Sequence, residues 1–484
     1  MMQKTISTRA ITKTDLKKEK TIKANPEAIK MERQKEMRRT SEWMLVELQK
    51  LEQKAYSRDI NDSIFDLVRK RMGGAPLRAY FVQKIFDIHS SLSVFSSFYP
   101  LSKNKDIQKL GRIQIPFIFE MVISIQYLHN QILDKKANIL THDDVNRNLL
   151  AANLLKDLLY QYIDEEVPTK WRQKVRSQVR ECFQIVDLGQ MMEKKWNTYE
   201  AFQQLDLPEK YIVNPTIYEA LNQPILQSII EKLRTDLPRE KWEFAQLYLM
   251  RIHMTCGMLF VIATRLLVDI QKVNRKKASQ MLQFAHCYGI LRQMVNDNAD
   301  NIPSSFNLST KSKTVADAFS DFRNRNITLP ILLHLTSKNN NEIAKRLVEQ
   351  SDSSLDQKEE EVLFQEMLQS SALFKAMQYP KILVALCQKL IPVRNKASEL
   401  LLDTCSIVHW NKFLFPVKRS KQYKRFKKTA YYKRTKRQIK SILDANTAEN
   451  INVWKWNVLP KHIFSLALKP FSAHNQLYLN KADK

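Results

Sequence analysis

The sequence predicts an all-α protein, and three observations carry that reading. Only 6 glycines occur among 484 residues, while 44% of the chain is hydrophobic. Leu, Ile, Met and Phe recur, mixed with Lys, Glu and Gln, at the 3.6-residue period of an amphipathic helix. No stretch shows the strict apolar–polar alternation of a half-buried strand.

Taken in chain order, residues 1–40 hold 12 Lys and Arg against 5 Asp and Glu, a charge of +7, and precede the first apolar repeat. They read as a basic, flexible tail. Lys4, Arg9 and Lys13 among Thr and Ser, with no acid in the first 14 residues, resemble an organelle-directing leader; a solvated tail is the plainer reading. Periodic segments follow over 43–53, 119–134, 149–163, 243–272, 279–296, 342–349 and 359–377. The most apolar run, Cys256 to Ile270, is shorter than the roughly 20 residues a bilayer span takes, and Arg265 interrupts it. It reads as a buried core helix. The size of the chain allows about three domains, yet the periodicity marks one helical body over 41–410. Within it, 195–243 reads as an insertion whose turns fall at Pro208, Pro215, Pro224 and Pro238.

Residues 411–440 carry 13 Lys and Arg with no acid, +13 of the formal net charge of +28. Tyr423, Phe426, Tyr431 and Tyr432 interrupt the cations. Such a segment can be a solvated basic helix, can dock on anionic lipid headgroups, or can neutralise phosphates and stack on bases. The order given is the order of preference, with an anionic membrane surface ahead of nucleic acid. Beyond it, a C-terminal extension over 441–484 includes Trp454, Trp456, Phe464 and Phe471, which calls for folding back onto the body. The five cysteines, Cys182, Cys256, Cys287, Cys387 and Cys405, form no Cys-x-x-Cys pair, so neither a zinc site nor a disulfide framework is expected. A cytoplasmic chain, in peripheral contact with a membrane if the basic segment makes one, is the expected setting.

The chemistry-bearing residues cluster at the end of one apolar helix. Phe284, Tyr288, Leu291 and Met294 recur at helical spacing, and Asn296-Asp297-Asn298-Ala299-Asp300 follows. Asn296, Asp300 and Ser304, four residues apart, stack along one face. Oxygen ligands in that pattern suit Mg²⁺, which takes one or two carboxylates, several waters and substrate phosphate oxygens. An acidic helix end facing water is the alternative.

Together with their neighbours, these residues resemble the polyprenyl diphosphate synthases, the trans-prenyltransferases of the class I isoprenoid synthase fold. Arg292 to Asp300 follows that family's second aspartate-rich motif, Phe-Gln-x-x-Asp-Asp-x-x-Asp, with Asn296 for its first Asp. Thr328-Leu329-Pro330 keeps the end of Gly-Lys-x-Thr-Leu-Pro. Glu120 to Asp134 resembles the helix of the first aspartate-rich motif, with Leu128-His129 before it and only Asp134 retaining a carboxylate. Gly73-Gly74-Ala75-Pro76-Leu77-Arg78 is similar to the diphosphate-binding turn, less its Lys and first Arg. Leu150 to Asn153, Gly189-Gln190 and Thr255 to Phe260 match further elements in the right order, over roughly residues 61 to 405. His142-Asp143-Asp144 also invites a reading as the first motif, but it lies too close to Leu150; it reads as a helix start capped by Thr141 or Asp143.

The resemblance implies an antiparallel helical bundle around a deep cavity, working on a prenyl diphosphate in isoprenoid biosynthesis, with Mg²⁺ as cofactor. Carried over residue by residue, it makes Asn130, Asp134, Asn296, Asp297 and Asp300 the metal ligands. Arg78 and Arg147 become the diphosphate contacts; of the two catalytic candidates, Gln293 falls beside the reacting carbons and Arg292, in the place of the motif's Phe, restores a cation near the diphosphate. It also implies a homodimer, or a heteromer with another prenyl synthase. Three functional readings follow: a divergent Mg²⁺-dependent prenyltransferase; a weakened or inactive subunit regulating an active partner; and, third, a terpene cyclase or a helical protein with a nucleic-acid-binding tail. The cyclase reading rests on Asn296, Asp300 and Ser304, and lacks the Glu such a motif ends on.

Overall fold

A helix buried on most of its circumference must be enclosed by others, and Arg275–Asp300 is such a helix: 19 of its 26 residues are buried, polar ones among them. It is the axis of a computed structural model that describes residues 26–55, 58–90, 104–133, 142–204, 224–303, 305, 318–337, 345, 355–405 and 415–444. Among these residues there is no strand, only an isolated antiparallel bridge between Thr198 and Asn326. The principal helices are α1 (Pro26–Glu52), α2 (Arg58–Gly74), α3 (Leu77–Ser90), α4 (Ile115–Leu133), α5 (His142–Glu166), α6 (Thr169–Trp196), α7 (Pro224–Asp236) and α8 (Trp242–Ile252). Then come α9 (Met258–Ile270), α10 (Arg275–Asp300), α11 (Leu329–Leu335), α12 (Gln357–Gln369), α13 (Gln378–Leu390), α14 (Lys396–Cys405), α15 (Lys421–Phe426) and α16 (Ala430–Asp444).

The axis α10 packs against α9, α13 and the π-turn His253–Gly257. Phe81 of α3, Phe260 of α9 and Phe284 and Tyr288 of α10 form one aromatic cluster, with ring centroids 4.7 to 6.2 Å apart. Three glycines set how closely the helices cross. A Cβ on Gly289 would lie 2.4 Å from the Cα of Gly257, and one on Gly189 would lie 2.8 Å from Thr255 Cγ2. Helix α10 therefore meets the π-turn backbone to backbone, and α6 meets it at the Met254 and Thr255 side chains. His253 and His286 stack across the same junction, 4.4 Å between centroids, and burial holds both below the ordinary histidine pKa.

The π-turn joins α8 to α9, so that Arg239–Ile270 runs as one helix, long and apolar enough to cross a membrane. Of its most apolar window, 78% is buried inside the molecule. It serves as a core helix here, as the composition of Cys256–Ile270 suggests, although the helix is longer than that run.

The chain departs from expectation near its start. Residues 26–40, read as tail, are the first half of α1. Arg33 pairs with Asp403 of α14, Lys84 of α3 with Glu36, and the Thr40 hydroxyl donates to Gln83 Oε1 at 2.6 Å. This half is anchored by charge pairs and polar contacts, which an apolar period does not register. The basic segment is helical over Phe415–Arg419, Lys421–Phe426 and Ala430–Asp444, with short turns between. Residues 205–223 of the expected insertion, most of 342–349, the extension from 445 onward, and Thr141, Asp134 and Ser304 lie outside the described residues.

The glycine contacts yield a paired prediction. Gly289→Ala sets a methyl against backbone and should cost about 1–3 kcal/mol or more. Gly74→Ala meets nothing within 4 Å and should be neutral or stabilising by up to about 1 kcal/mol. Urea denaturation midpoints of the two variants check this; equal stability would show that the Gly257–Gly289 crossing can open freely.

Candidate functional site

The close crossings leave a cavity of about 380 Å³ between α4 and α6 on one side and α8, the π-turn and α10 on the other, with Arg71 of α2 and Arg78 of α3 at its edge. Helix α10 ends on its acidic wall. Asp297 is buried there, and its carboxylate accepts from Tyr248 Oη at 2.6 Å and Gln293 Nε2 at 2.7 Å. The Gln293 carbonyl accepts in turn from Cys256 Sγ at 2.9 Å, so this amide is held from both ends. Burial pushes the Asp297 pKa up to about 6, against the opposing pull of Arg251, Tyr248 and Gln293.

One turn on, Asp300 caps the short helix Ser320–Arg323. Its carboxylate accepts from Ser320 Oγ at 2.7 Å and from the amides of Ser320 and Asp321 at 3.3 and 3.1 Å. That capping swings Asp321 into the cavity lining. Burial, then the negative charges of Asp300 and Asp297, raise the Asp321 pKa well above the carboxylate range. Three carboxylates thus share one wall and repel each other, and a cation among them would relieve the repulsion.

Cations face them. Arg251 is buried with Nη1 at 3.3 Å from Glu193 and Nη2 at 3.9 Å from Asp297. Burial alone would lower its pKa, but Glu193 and Asp297 outweigh it and keep the guanidinium charged. Its Nε and Nη2 have no hydrogen-bond acceptor. At the other edge Arg71 lies over the Tyr127 ring, 4.6 Å from its centroid, with its pKa lowered by burial and then by Arg78. Glu120 accepts from the backbone amides of Arg78 and Ala79 at 3.1 and 3.0 Å, which fixes the start of α3 against α4.

Between these charges, α4 presents only neutral groups. Gln190 donates to both Gln126 and Asn130, and Gln126 donates to Asp187 at 3.0 Å. Gln190 also lines a second, open groove of about 360 Å³ with His129, Ile132, Leu133, Leu149 and Met191, and with Asp187 and Lys194; its accessible surface is mostly apolar.

Of the residues singled out by sequence, Arg78, Asn130, Gln293, Asn296, Asp297 and Asp300 line this one cavity. Arg292 is not in the lining; it lies behind Gln293, pushed down to about 10 by burial, with Tyr288 raising and Arg78 further lowering it. Arg147 is elsewhere, on the exposed side of α5 in an ion pair with Asp144 at 2.5 Å; its neighbour Asn148 is the one turned toward α4, donating to Gln131. Asp134 lies outside the described residues. Sequence reasoning missed Arg71, Glu193, Arg251 and Asp321. Arg251 was legible in principle: it stands one turn before Thr255, where the family has Lys, and so on the same helix face. Asn326, in place of another family Lys, donates to Glu193 at 3.2 Å and so steadies the partner of Arg251.

Among the described residues no three His, Cys, Asp or Glu side chains converge into a metal cage. Mg²⁺ asks for less, one or two carboxylates plus water and substrate phosphate. Asp300 and Asp321, with Asn296 beside them, meet that count on the α10 side; across the cavity, the polar groups among the described residues of α4 are Gln126, Tyr127 and Asn130, all neutral.

No family model matches the sequence, and no characterised protein matches it by sequence. Solved structures do match by shape. The chain is similar to a polyprenyl synthase from Caulobacter crescentus, determined with calcium and isoprenyl diphosphate: 14% identity, 76% of this chain and 95% of that one covered, TM-score 0.54. It is similar also to a decaprenyl diphosphate synthase from Rhodobacter capsulatus (16%, 77% and 96%, 0.52) and a geranylgeranyl pyrophosphate synthetase from Pyrococcus horikoshii (16%, 78% and 98%, 0.52). Identities this low establish the fold, an all-α bundle of the isoprenoid synthase type.

Asp297 makes stability pH-dependent. Its folded pKa of about 6 exceeds the ordinary 3.8, so the folded state holds the proton more tightly. The group's contribution is present in full below about pH 4 and is lost as pH rises through 6. Asp297→Asn should therefore match the parent near pH 4 and exceed it by about 1–3 kcal/mol at pH 8. Urea unfolding across that range reads the difference, and a constant offset would contradict it.

Proposed function

We propose that this chain binds a prenyl diphosphate in the cavity but ionises it weakly, and serves as the substrate-binding or regulatory partner of an active synthase. The observation that carries the reading is the asymmetry of the cavity. Carboxylates crowd the α10 wall, whereas the facing helix offers Gln126 and Asn130, tied to Gln190.

Each part of the ligand finds a match. Arg71, Arg78 and Arg251 supply permanent cations for a diphosphate, with two Arg251 nitrogens still lacking an acceptor. The apolar groove that shares Gln190 suits the hydrocarbon chain. Glu193 and Asn326 hold Arg251 in place, and Cys256 and Asp297 hold Gln293 at the cavity surface. If Mg²⁺ joins the diphosphate, Asn296, Asp300 and Asp321 are the residues that would hold it, and it would draw charge off the departing oxygen. Apart from Glu193, which is paired with Arg251, the described carboxylates of the site share one wall, and losing a single transition-state contact of this kind costs about a hundredfold or more in rate.

A self-sufficient Mg²⁺-dependent prenyltransferase is the second reading, favoured by the grouping of Asp297, Asp300 and Asp321. One experiment separates the two. The purified chain is titrated with an allylic diphosphate by calorimetry, then assayed with Mg²⁺ and allylic plus homoallylic diphosphates for diphosphate release. Saturable binding that Arg251→Ala weakens at least about tenfold, with release at least about 100-fold below an intact synthase, supports the proposal. Robust turnover by the chain alone selects the second reading, and no binding at any chain length rejects both.

A further inference from the structure

The basic C-terminal helices are a built surface. Helix α16 lies along α13, and a buried polar cluster fastens it. Asp236 of α7, with Lys232 3.1 Å away, accepts from Tyr379 of α13 at 2.8 Å and from Tyr431 of α16 at 2.6 Å. The Lys232 ammonium sits over the Tyr431 ring, 4.1 Å from its centroid. Gln438 donates to the Ser228 carbonyl at 3.1 Å, and Lys389 to the Leu443 carbonyl at 2.7 Å. The helix is thus held at its start, middle and end.

That docking fixes what faces outward. Lys433, Lys436, Arg437 and Lys440 follow the i, i+3, i+4, i+7 pattern and are all exposed, so they form one stripe. Lys424 and Lys428 extend the basic surface in and after α15. No acid occurs between Asp403 and Asp444 to neutralise it. The crowding of cations registers at Lys381 beneath, whose pKa falls to about 8 through burial and then through Lys418 and Lys427.

The same docking restricts the partner. Tyr423 and Phe426 are buried against Phe374, and Tyr431 and Tyr432 pack on Phe426. The rings that would stack on single-stranded bases are already used. Helix α16 is held on its neighbours at its start, middle and end, so it offers a partner its exposed flank and not a free end. A broad, planar array of anions, approached from outside and needing neither stacking nor insertion, fits what remains.

We propose that the stripe Lys433, Lys436, Arg437 and Lys440, with Lys424 and Lys428 beside it, docks the chain on the anionic headgroups of a lipid bilayer. The test is co-sedimentation of the full chain with phosphatidylcholine vesicles, with and without about 30% phosphatidylserine. No prenyl diphosphate is present, so the outcome is independent of the cavity. Binding is expected to the anionic vesicles alone, and to be lost in about 0.5 M NaCl, where screening is strong. The variant K433Q/K436Q/R437Q/K440Q keeps good helix formers and leaves the Asp236 cluster untouched; it should bind at least about tenfold more weakly with unchanged circular dichroism. Single substitutions K433Q and R437Q, each with a smaller loss, cover the case in which the fourfold variant misfolds. Equal binding to neutral vesicles, undiminished binding by the variants, or retention on duplex DNA or RNA in preference to anionic vesicles at matched salt would overturn the proposal.

Discussion

The Arg251 guanidinium cannot be buried alone, and much of the cavity follows from how it is paired. It stands on α8 between Glu193 of α6 and Asp297 of α10, so one charge ties together three helices. Removing the shared cation would leave Glu193 and Asp297 buried without it and cost about 3–5 kcal/mol. The set is satisfied outward as well: Asn326 holds Glu193, and Tyr248 and Gln293 hold Asp297. The isolated bridge Thr198–Asn326 and the amide of Ile327 bonded to the Asn197 carbonyl at 2.7 Å bring the chain past α6 at that point. Polar pairing therefore decides where the segment before α11 runs, and the cavity wall is closed by the same contacts that keep its cation charged.

The close backbone crossings complement this electrostatic tie. With Gly257 and Gly289 in contact, helix α10 lies near enough to the π-turn for Cys256 to reach Gln293, four residues along from Gly289. A side chain at Gly289 would push α10 away and lengthen the distances on which the buried charges rely, whereas one at Gly257 would strike the His253 ring. Packing and polar pairing are coupled here, because neither the short contacts nor the charge set persists if the helices separate.

How much of this was legible in the sequence depends on which force placed each residue. The core of α10 announced itself through Phe284, Tyr288, Leu291 and Met294, since apolar burial on a helix leaves a 3.6-residue period. The same period missed α1 before residue 40, whose partners are Asp403, Gln83 and Lys84 and whose inward positions include Arg33 and Thr40. Asp297 and Asp300 could be read as neighbours one turn apart on one helix. Asp321 could not be joined to them, because the cap on Ser320–Arg323 that turns it inward is a tertiary contact across twenty residues. Arg147 shows the opposite failure: it has the right charge near the right helix, but one residue of rotation gives the inward position to Asn148.

The positions where the chain keeps and loses its likeness to prenyl synthases divide along physical lines. Gly189 and Gly257 are kept, and each sits where a Cβ would strike a neighbour. Thr328, Leu329 and Pro330 are kept, and all three are buried at the start of α11. At the cavity the two mix: Arg78, Gln293, Asp297 and Asp300 are kept, whereas Asn130 and Thr255 line it in place of an acid and a lysine and Asn296 stands for another acid; Asn326, bonded to Glu193, replaces a lysine. Packing glycines and buried helix starts are demanded by the fold whatever the chemistry, since their replacement opens the bundle. Acids and lysines aimed into a cavity are costly to bury, and only chemistry on a charged ligand repays the cost. A cavity whose packing positions are kept while some of its charges are replaced by amides is the observation on which the proposed binding without rapid turnover rests.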